Sequence, residues 1–192
     1  FWQNYPSVDS FQFDYSSDVD DFDYTTADGD DITGWNLAYT GAGTGHLYTD
    51  GDQAITSFSG VKTVVAQRAG YVCSRDNMVV GIEIGTSANG WPTPDTYIDI
   101  WARMNNSGTP GLDGIRCRIG IWTLKISRFV NGVETVLREY QPFVWWWGYW
   151  AIPINPMPGE KWAFIVGTES DPRTYQVMRN GAVMLTVVEG GT

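Results

Sequence analysis

The chain is 192 residues long, enough for one domain or one domain with an extension, and enough to bury a sizeable core. Hydrophobic residues make up 43% and charged residues 18%, which excludes wholesale disorder, collagen-like repeats and heptad coiled coils and reads as a folded, soluble domain. Twelve basic residues against 22 acidic ones leave a formal charge of -10, a poor surface for nucleic acid or an anionic membrane.

The chain opens Phe1-Trp2-Gln3-Asn4 without Met, as a processed product or a piece of something longer would, and no signal peptide is visible. Eleven of the 22 acids, Asp9 through Asp52, precede the first base, Lys62, so the remainder of the chain is nearly neutral. Residues 1–20 read as an acidic-aromatic N-terminal extension in which Phe11-x-Phe13-x-Tyr15 alternates like a strand, and 21–192 read as one domain without an internal linker. The glycines of Thr40-Gly41-Ala42-Gly43-Thr44-Gly45 predict a loop or bulged turn. A phosphate cradle would need a buried strand before it, a helix after it and a nearby Lys, and the nearest is Lys62.

From Val61 the chain becomes a series of short β-rich runs broken by turn residues, the pattern of an all-β sandwich or barrel. The predicted strands are 61–66, 78–85, 96–104, 115–122, 124–130, 133–140, 161–167, 174–179 and 182–188. In 96–104, alternation sets Ile98, Ile100, Ala102 and Met104 on a core face and Tyr97, Asp99, Trp101 and Arg103 on the other. That second face is either a groove or covered by another strand. Asn131-Gly132 and Asn180-Gly181 each sit between β-rich runs and predict type I′ hairpins, because Asn and Gly tolerate positive φ at both central positions. Three prolines within Pro153 to Pro158, then Gly159, predict a loop leading into the strand at Lys161.

Phe143-Val144-Trp145-Trp146-Trp147-Gly148-Tyr149-Trp150 is the most unusual segment. It reads as core or inter-subunit packing, or as a platform stacking on the apolar faces of sugar rings; membrane insertion fits less well, for want of flanking bases. Trp91, near Pro92 and Pro94, suits an exposed ring. Apolar runs fall far short of the roughly 20 residues of a membrane-spanning helix. Cys73 and Cys117 match no short metal motif and read as small apolar core residues or as one disulfide.

Metal and catalytic signals are partial. Asp18 with Asp20, or Asp28 with Asp30, supply the first two positions of an acidic calcium loop, but Phe22 and Ile32 occupy the next, so a solvated acidic face competes with a calcium site. His46 is the only histidine and no Gly-x-Ser-x-Gly elbow occurs, which argues against a serine hydrolase triad and a histidine-based zinc site. A glycosidase needs two flanking carboxyl groups; Glu83 with Asp99 would serve if their strands are neighbours, and Asp95 with Asp99 if both lie in one strand.

The order of these pieces resembles the laminin-G-like, concanavalin A-like jelly rolls, particularly those of bacteriophage tail proteins. The resemblance rests on Asp20-Asp21-Phe22-Asp23, Gly34-Trp35, Asp50-Gly51-Asp52-Gln53-Ala54, the run Ile126 to Val133 and the run Thr174 to Gly181, and it covers about residues 20 to 189. It implies a two-sheet antiparallel jelly-roll sandwich, a virion-tail or extracellular location, and a non-enzymatic role in recognising host-surface glycan beside other tail subunits in a homo-oligomer. No nucleic acid, membrane or obligatory cofactor enters this reading, and the resemblance adds weight to a structural calcium near the chain terminus. The aromatic insert and the acidic lead-in depart from the family's layout. On this reading Trp91, Tyr97, Trp101, Trp146, Tyr149 and Trp150 stack on sugar, and Asp99 and Arg103 orient its hydroxyls. A tail assembly module packing through the aromatic insert is the alternative, and a glycan hydrolase the next.

Overall fold

A computed structural model of the chain describes residues 24–26, 30–51, 53–59, 62–69, 77–85, 97–104, 113–140, 154–168 and 170–190. Among them there are twelve strands and no helix, hence none long and apolar enough to cross a membrane. All strand pairings are antiparallel. The described residues form two compact units, one between 24 and 69 and one between 77 and 190. The sequence reading set its single boundary at residue 20, outside the described residues.

The N-terminal unit holds β1 (Trp35–Gly41), β2 (Thr44–Thr49), β3 (Ala54–Ser59) and β4 (Lys62–Arg68). β1 pairs with β4 from Trp35↔Arg68 to Gly41↔Lys62, and β2 with β3 from Thr44↔Ser59 to Thr49↔Ala54. The register carries over without a shift, so both pairs belong to one long ribbon. The expected loop at Thr40–Gly45 therefore shrinks to an interruption at Ala42–Gly43: the strands run up to Gly41 and resume at Thr44, with Gly41 and Gly43 at φ 97° and 98°. The ribbon's tip is tied by Asp50, whose Oδ1 accepts from the Gln53 amide at 3.2 Å. Its buried residues are Ile32, Leu47 and Thr49, the last anchored through its amide to Thr26 Oγ1 at 3.0 Å and through its hydroxyl to the Tyr24 carbonyl.

The C-terminal unit holds β5 (Met78–Glu83), β6 (Tyr97–Ala102), β7 (Gly114–Gly120), β8 (Leu124–Val130), β9 (Val133–Tyr140), β10 (Lys161–Val166), β11 (Thr174–Arg179) and β12 (Ala182–Val188). They form two four-stranded sheets, ordered β12-β11-β10-β5 and β6-β7-β8-β9. The expected bounds of β8, β9, β11 and β12 coincide with those observed. Both Asn-Gly pairs occupy the expected hairpin turns, with φ of 51° and 77° at Asn131 and Gly132 and 48° and 80° at Asn180 and Gly181, the signs a type I′ turn needs.

One apolar cluster joins the two sheets. Ile100, Cys117, Ile119, Leu124 and Ile126 come from one, and Trp162, Phe164, Val166, Tyr175 and Val177 from the other. They meet because alternate residues of each strand point the same way, and the register stacks Ile100 on Cys117 on Ile126, and Val80 on Phe164 on Val177. Trp162 is fully buried and keeps its indole N–H satisfied by donating to Glu160 Oε2 at 3.2 Å. Cys117 is a free cysteine in this core, where burial pushes its thiol pKa well up. Cys73 lies outside the described residues. Residues 154–160 form the expected loop, closed by Arg179, which donates to the Ile154 carbonyl at 2.7 Å and pairs with Glu160.

Candidate functional site

The same alternation that feeds the core builds an opposite, outward face on the β6–β9 sheet. On β6 it carries Tyr97, Asp99 and Trp101, as the sequence predicts, while Ile100 and Ala102 are buried on the inner side. On β7 the Arg116-x-Arg118 spacing sends both guanidinium groups to this face. The register then sets Asp99 opposite Arg118 and Trp101 opposite Arg116. β8 adds Lys125 opposite Arg118, and Ser127 opposite Arg116; β9 adds Glu134 opposite Phe129. Gly120 stands opposite Tyr97 and Gly114 opposite Phe129.

The charges at the centre of this face, Asp99, Arg116, Arg118, Lys125 and Glu134, are all engaged. Arg118 donates through Nε and Nη2 to the two oxygens of Asp99, at 2.8 and 2.7 Å, a bidentate fork, and lies 4.7 Å from the centroid of the Tyr97 ring. Arg116 donates through Nη2 to Glu134 Oε1 at 2.6 Å, and its Nη1 is 3.6 Å from Asp99 Oδ2. Its guanidinium packs over the rings of Phe129 and Trp101, 4.5 and 5.6 Å from their centroids. Those two rings meet at 4.9 Å with planes tilted by 53°. Ser127 Oγ, at 2.7 Å, and Lys125 Nζ, at 3.0 Å, complete the shell of Glu134. Arg116 is only 6% exposed and Ser127 is fully buried, so the centre of the face is closed, and Arg116 Nε is left there without a hydrogen-bond partner.

Burial alone would raise the Glu134 pKa, but hydrogen bonds from Ser127 and Lys125 and the charges of Arg116 and Lys125 outweigh it and hold it at about 2. Glu134 is thus an anion near neutral pH and a poor proton donor. The pairing of Glu83 with Asp99 does not form as the hydrolase reading required. Glu83 lies on β5, beside β10 and opposite Lys161, whereas Asp99 lies on β6 in the other sheet. Asp95 lies outside the described residues.

Arg103 leaves the predicted face. Its φ of 50° breaks the alternation after β6, and its guanidinium turns to the other sheet, donating to the Pro172 carbonyl at 2.8 Å and lying 5.7 Å from the Tyr175 ring centroid. Gly167 makes room for it: a Cβ there would come within 2.9 Å of Arg103 Nη2 and overlap Asn77 Oδ1. Tyr175 in turn donates to Glu189 Oε2 at 2.6 Å, and burial followed by that bond pushes its hydroxyl pKa up to about 12. Of the remaining expected site residues, Trp91, Trp146, Tyr149 and Trp150 lie outside the described residues, as do Asp18, Asp20 and Asp28. Asp30 is exposed, and among the described residues no group of three or more His, Cys, Asp or Glu is placed to hold a metal ion.

In the N-terminal unit, Asp31 gathers a smaller cluster. Tyr39 donates its hydroxyl to Asp31, the Leu47 amide donates to the Tyr39 oxygen at 3.0 Å, and His46 Nδ1 lies 3.6 Å from Asp31 Oδ1. Burial first, then the bond to Asp31, raises the Tyr39 hydroxyl pKa to about 12.

Sequence reasoning found Tyr97, Asp99 and Trp101 but missed Arg116, Arg118, Lys125, Ser127, Phe129 and Glu134. Arg116, Arg118, Lys125 and Ser127 showed as polar residues alternating with apolar ones on β7 and β8, a pattern that a plain solvated face gives as well, and Phe129 on β8 and Glu134 on β9 lay outside it. These features define an antiparallel all-β protein whose C-terminal unit displays an aromatic and ionic sheet face. The chain belongs to the family described as a domain of unknown function, DUF7257, whose profile matches residues 1–192. No curated protein and no solved structure matches it.

Proposed function

We propose that this chain is a non-enzymatic recognition module of a virion tail or cell surface, built as a jelly-roll sandwich, and that the outer face of the β6–β9 sheet contributes to binding host-surface glycan. The observation that carries the reading is Tyr97, 41% exposed, with the guanidinium of Arg118, itself forked to Asp99, over its ring at 4.7 Å. A ring beside a planar polar group combines an apolar stacking surface with hydrogen-bonding capacity, the combination a sugar ring requires. Asp99 acts on this reading through Arg118, not on hydroxyls directly, and Arg103 belongs to the scaffold. The test is an oligosaccharide array probed with the whole chain, with and without calcium, since Asp18, Asp20, Asp28 and Asp30 are the expected ligands of that ion. Saturable binding weakened by Tyr97→Ala supports the reading; a folded chain that binds no oligosaccharide removes it.

A second reading, assembly with other subunits or copies of itself, is favoured by the β8–β9 hairpin, where Val130 at the end of β8 is 51% exposed and Val133 and Val136 on the edge strand β9 are 67% and 49% exposed. Sedimentation velocity decides it: concentration-dependent association that Val133→Lys weakens is the expected signature, and a strictly monomeric chain rejects it for self-assembly.

A further inference from the structure

Resting on the glycan reading, we infer that the end of the sheet formed by Tyr97 and the β7–β8 turn is the sugar subsite, that Trp122 is its second stacking ring, and that its ligand class is a neutral oligosaccharide. Trp122 is 44% exposed in the turn between β7 and β8, more than any other tryptophan among the described residues. The turn that carries it is fixed at two points: the Gly120 amide donates to the Thr123 carbonyl at 2.7 Å, and the Ile121 carbonyl accepts from the Ile154 amide at 2.8 Å. An exposed indole on a pinned backbone is a ready-made anchor, because little freedom is lost when a ligand lies on it.

The register brings the two rings to one end of the sheet. Tyr97 stands opposite Gly120, and Trp122 is two residues beyond Gly120. One strand spacing and two residues of chain put their Cα atoms roughly 8–10 Å apart, within reach of a di- or trisaccharide. The Tyr97 hydroxyl, Arg118 Nη1 and Trp122 Nε1 have no hydrogen-bond partner among the described residues, so donors to sugar hydroxyls flank both rings.

Charge bookkeeping on the face selects the class of ligand. Arg116, Arg118 and Lys125 are met by Asp99 and Glu134, and Glu139 stands opposite Lys125 across β8 and β9. Three cations against three anions leave no surplus charge to attract a carboxylated or phosphorylated sugar, and the chain from Lys62 onward, with 12 bases against 11 acids, is itself nearly neutral.

The experiment compares the whole chain with Trp122→Ala and Trp122→Phe on immobilised neutral oligosaccharides and on their uronic-acid counterparts, at low and high salt. Trp122 is exposed, so both variants should keep the parent's thermal midpoint, and Tyr97→Ala serves as the reference loss. The expected result is neutral-sugar binding that changes little with salt, falls about tenfold or more in Trp122→Ala and is partly kept by Trp122→Phe. Neutral-sugar binding unchanged in Trp122→Ala but lost in Tyr97→Ala overturns the inference and leaves the glycan reading standing. Preferential, salt-sensitive binding of the acidic sugars overturns the assignment of ligand class. Failure of the parent to bind either set removes the glycan reading itself, and the inference with it.

Discussion

Along β7, Ile115, Cys117 and Ile119 point into the core while Arg116 and Arg118, between them on the same strand, point the other way. Cys117 and Ile119 are fully buried and Arg116 very nearly so, yet the two sides are closed by opposite means. The inner side is held by apolar area removed from water, which is non-directional and tolerates swaps that conserve volume. The outer side is held by ion pairs and ring contacts around Arg116 and Glu134, which work only while each buried charge keeps its partners. A strand with two hidden faces can therefore fail in two ways.

The largest effect should come from the inner side. Trp162→Ala opens a cavity at the centre of the cluster and also strips Glu160 of a donor, so a loss of about 3–5 kcal/mol is expected in urea denaturation, with Phe164→Ala close behind. Retention of the parent's midpoint by either variant would mean that the cluster is not the core.

On the outer side, Arg116→Ala should cost roughly 2–4 kcal/mol, somewhat less than a fully isolated buried pair because Glu134 keeps Ser127 and Lys125. Arg116→Met combined with Glu134→Gln should recover part of that loss, since removing both charges leaves neither stranded. Strict additivity of the two single changes would show that the pair is not coupled.

A smaller effect separates the two sides by pH. The folded-state pKa of Glu134 is lowered from 4.5 to about 2, so the unfolded chain takes up its proton first as the solution is acidified. Its contribution is fully present above pH 4.5 and is lost as pH falls towards 2. With 32% of the side chain exposed and solvent screening applied, the term is on the order of 1–2 kcal/mol. Glu134→Gln should flatten this limb of the stability curve, while a core change such as Ile119→Val should shift the curve without changing its slope; an unflattened limb would contradict the role given to Glu134. Smallest of all on stability, Tyr97→Ala should move the midpoint by less than about 1 kcal/mol, since the ring is substantially exposed, while weakening sugar binding.

The same contrast explains what could be read from the sequence. Strands bounded by Asn131-Gly132 and Asn180-Gly181 were legible to the residue, because those turns have one favoured geometry and fix the register on both sides. β1 to β3 were not, because runs such as Thr44-Gly45-His46-Leu47-Tyr48-Thr49 carry little apolar alternation, and their order comes from pairing along the ribbon. The outer face was half legible: alternation on β6 displayed Tyr97, Asp99 and Trp101. Which charges would meet them depends on the register of β7, β8 and β9, including the irregularity beside Ser127, and no local pattern encodes that. Arg103 escaped because a positive φ in a non-glycine residue is imposed by its surroundings, here the Pro172 carbonyl and Tyr175.

The most direct test of the outer face as the ligand surface is to follow backbone amide shifts of the whole chain during titration with the best oligosaccharide from the array. Shifts concentrated at 97–101 and 116–123 are expected, with the 131–136 hairpin unmoved. Saturable shifts confined to the hairpin, or to residues outside the β6–β9 sheet, would contradict the assignment of this face.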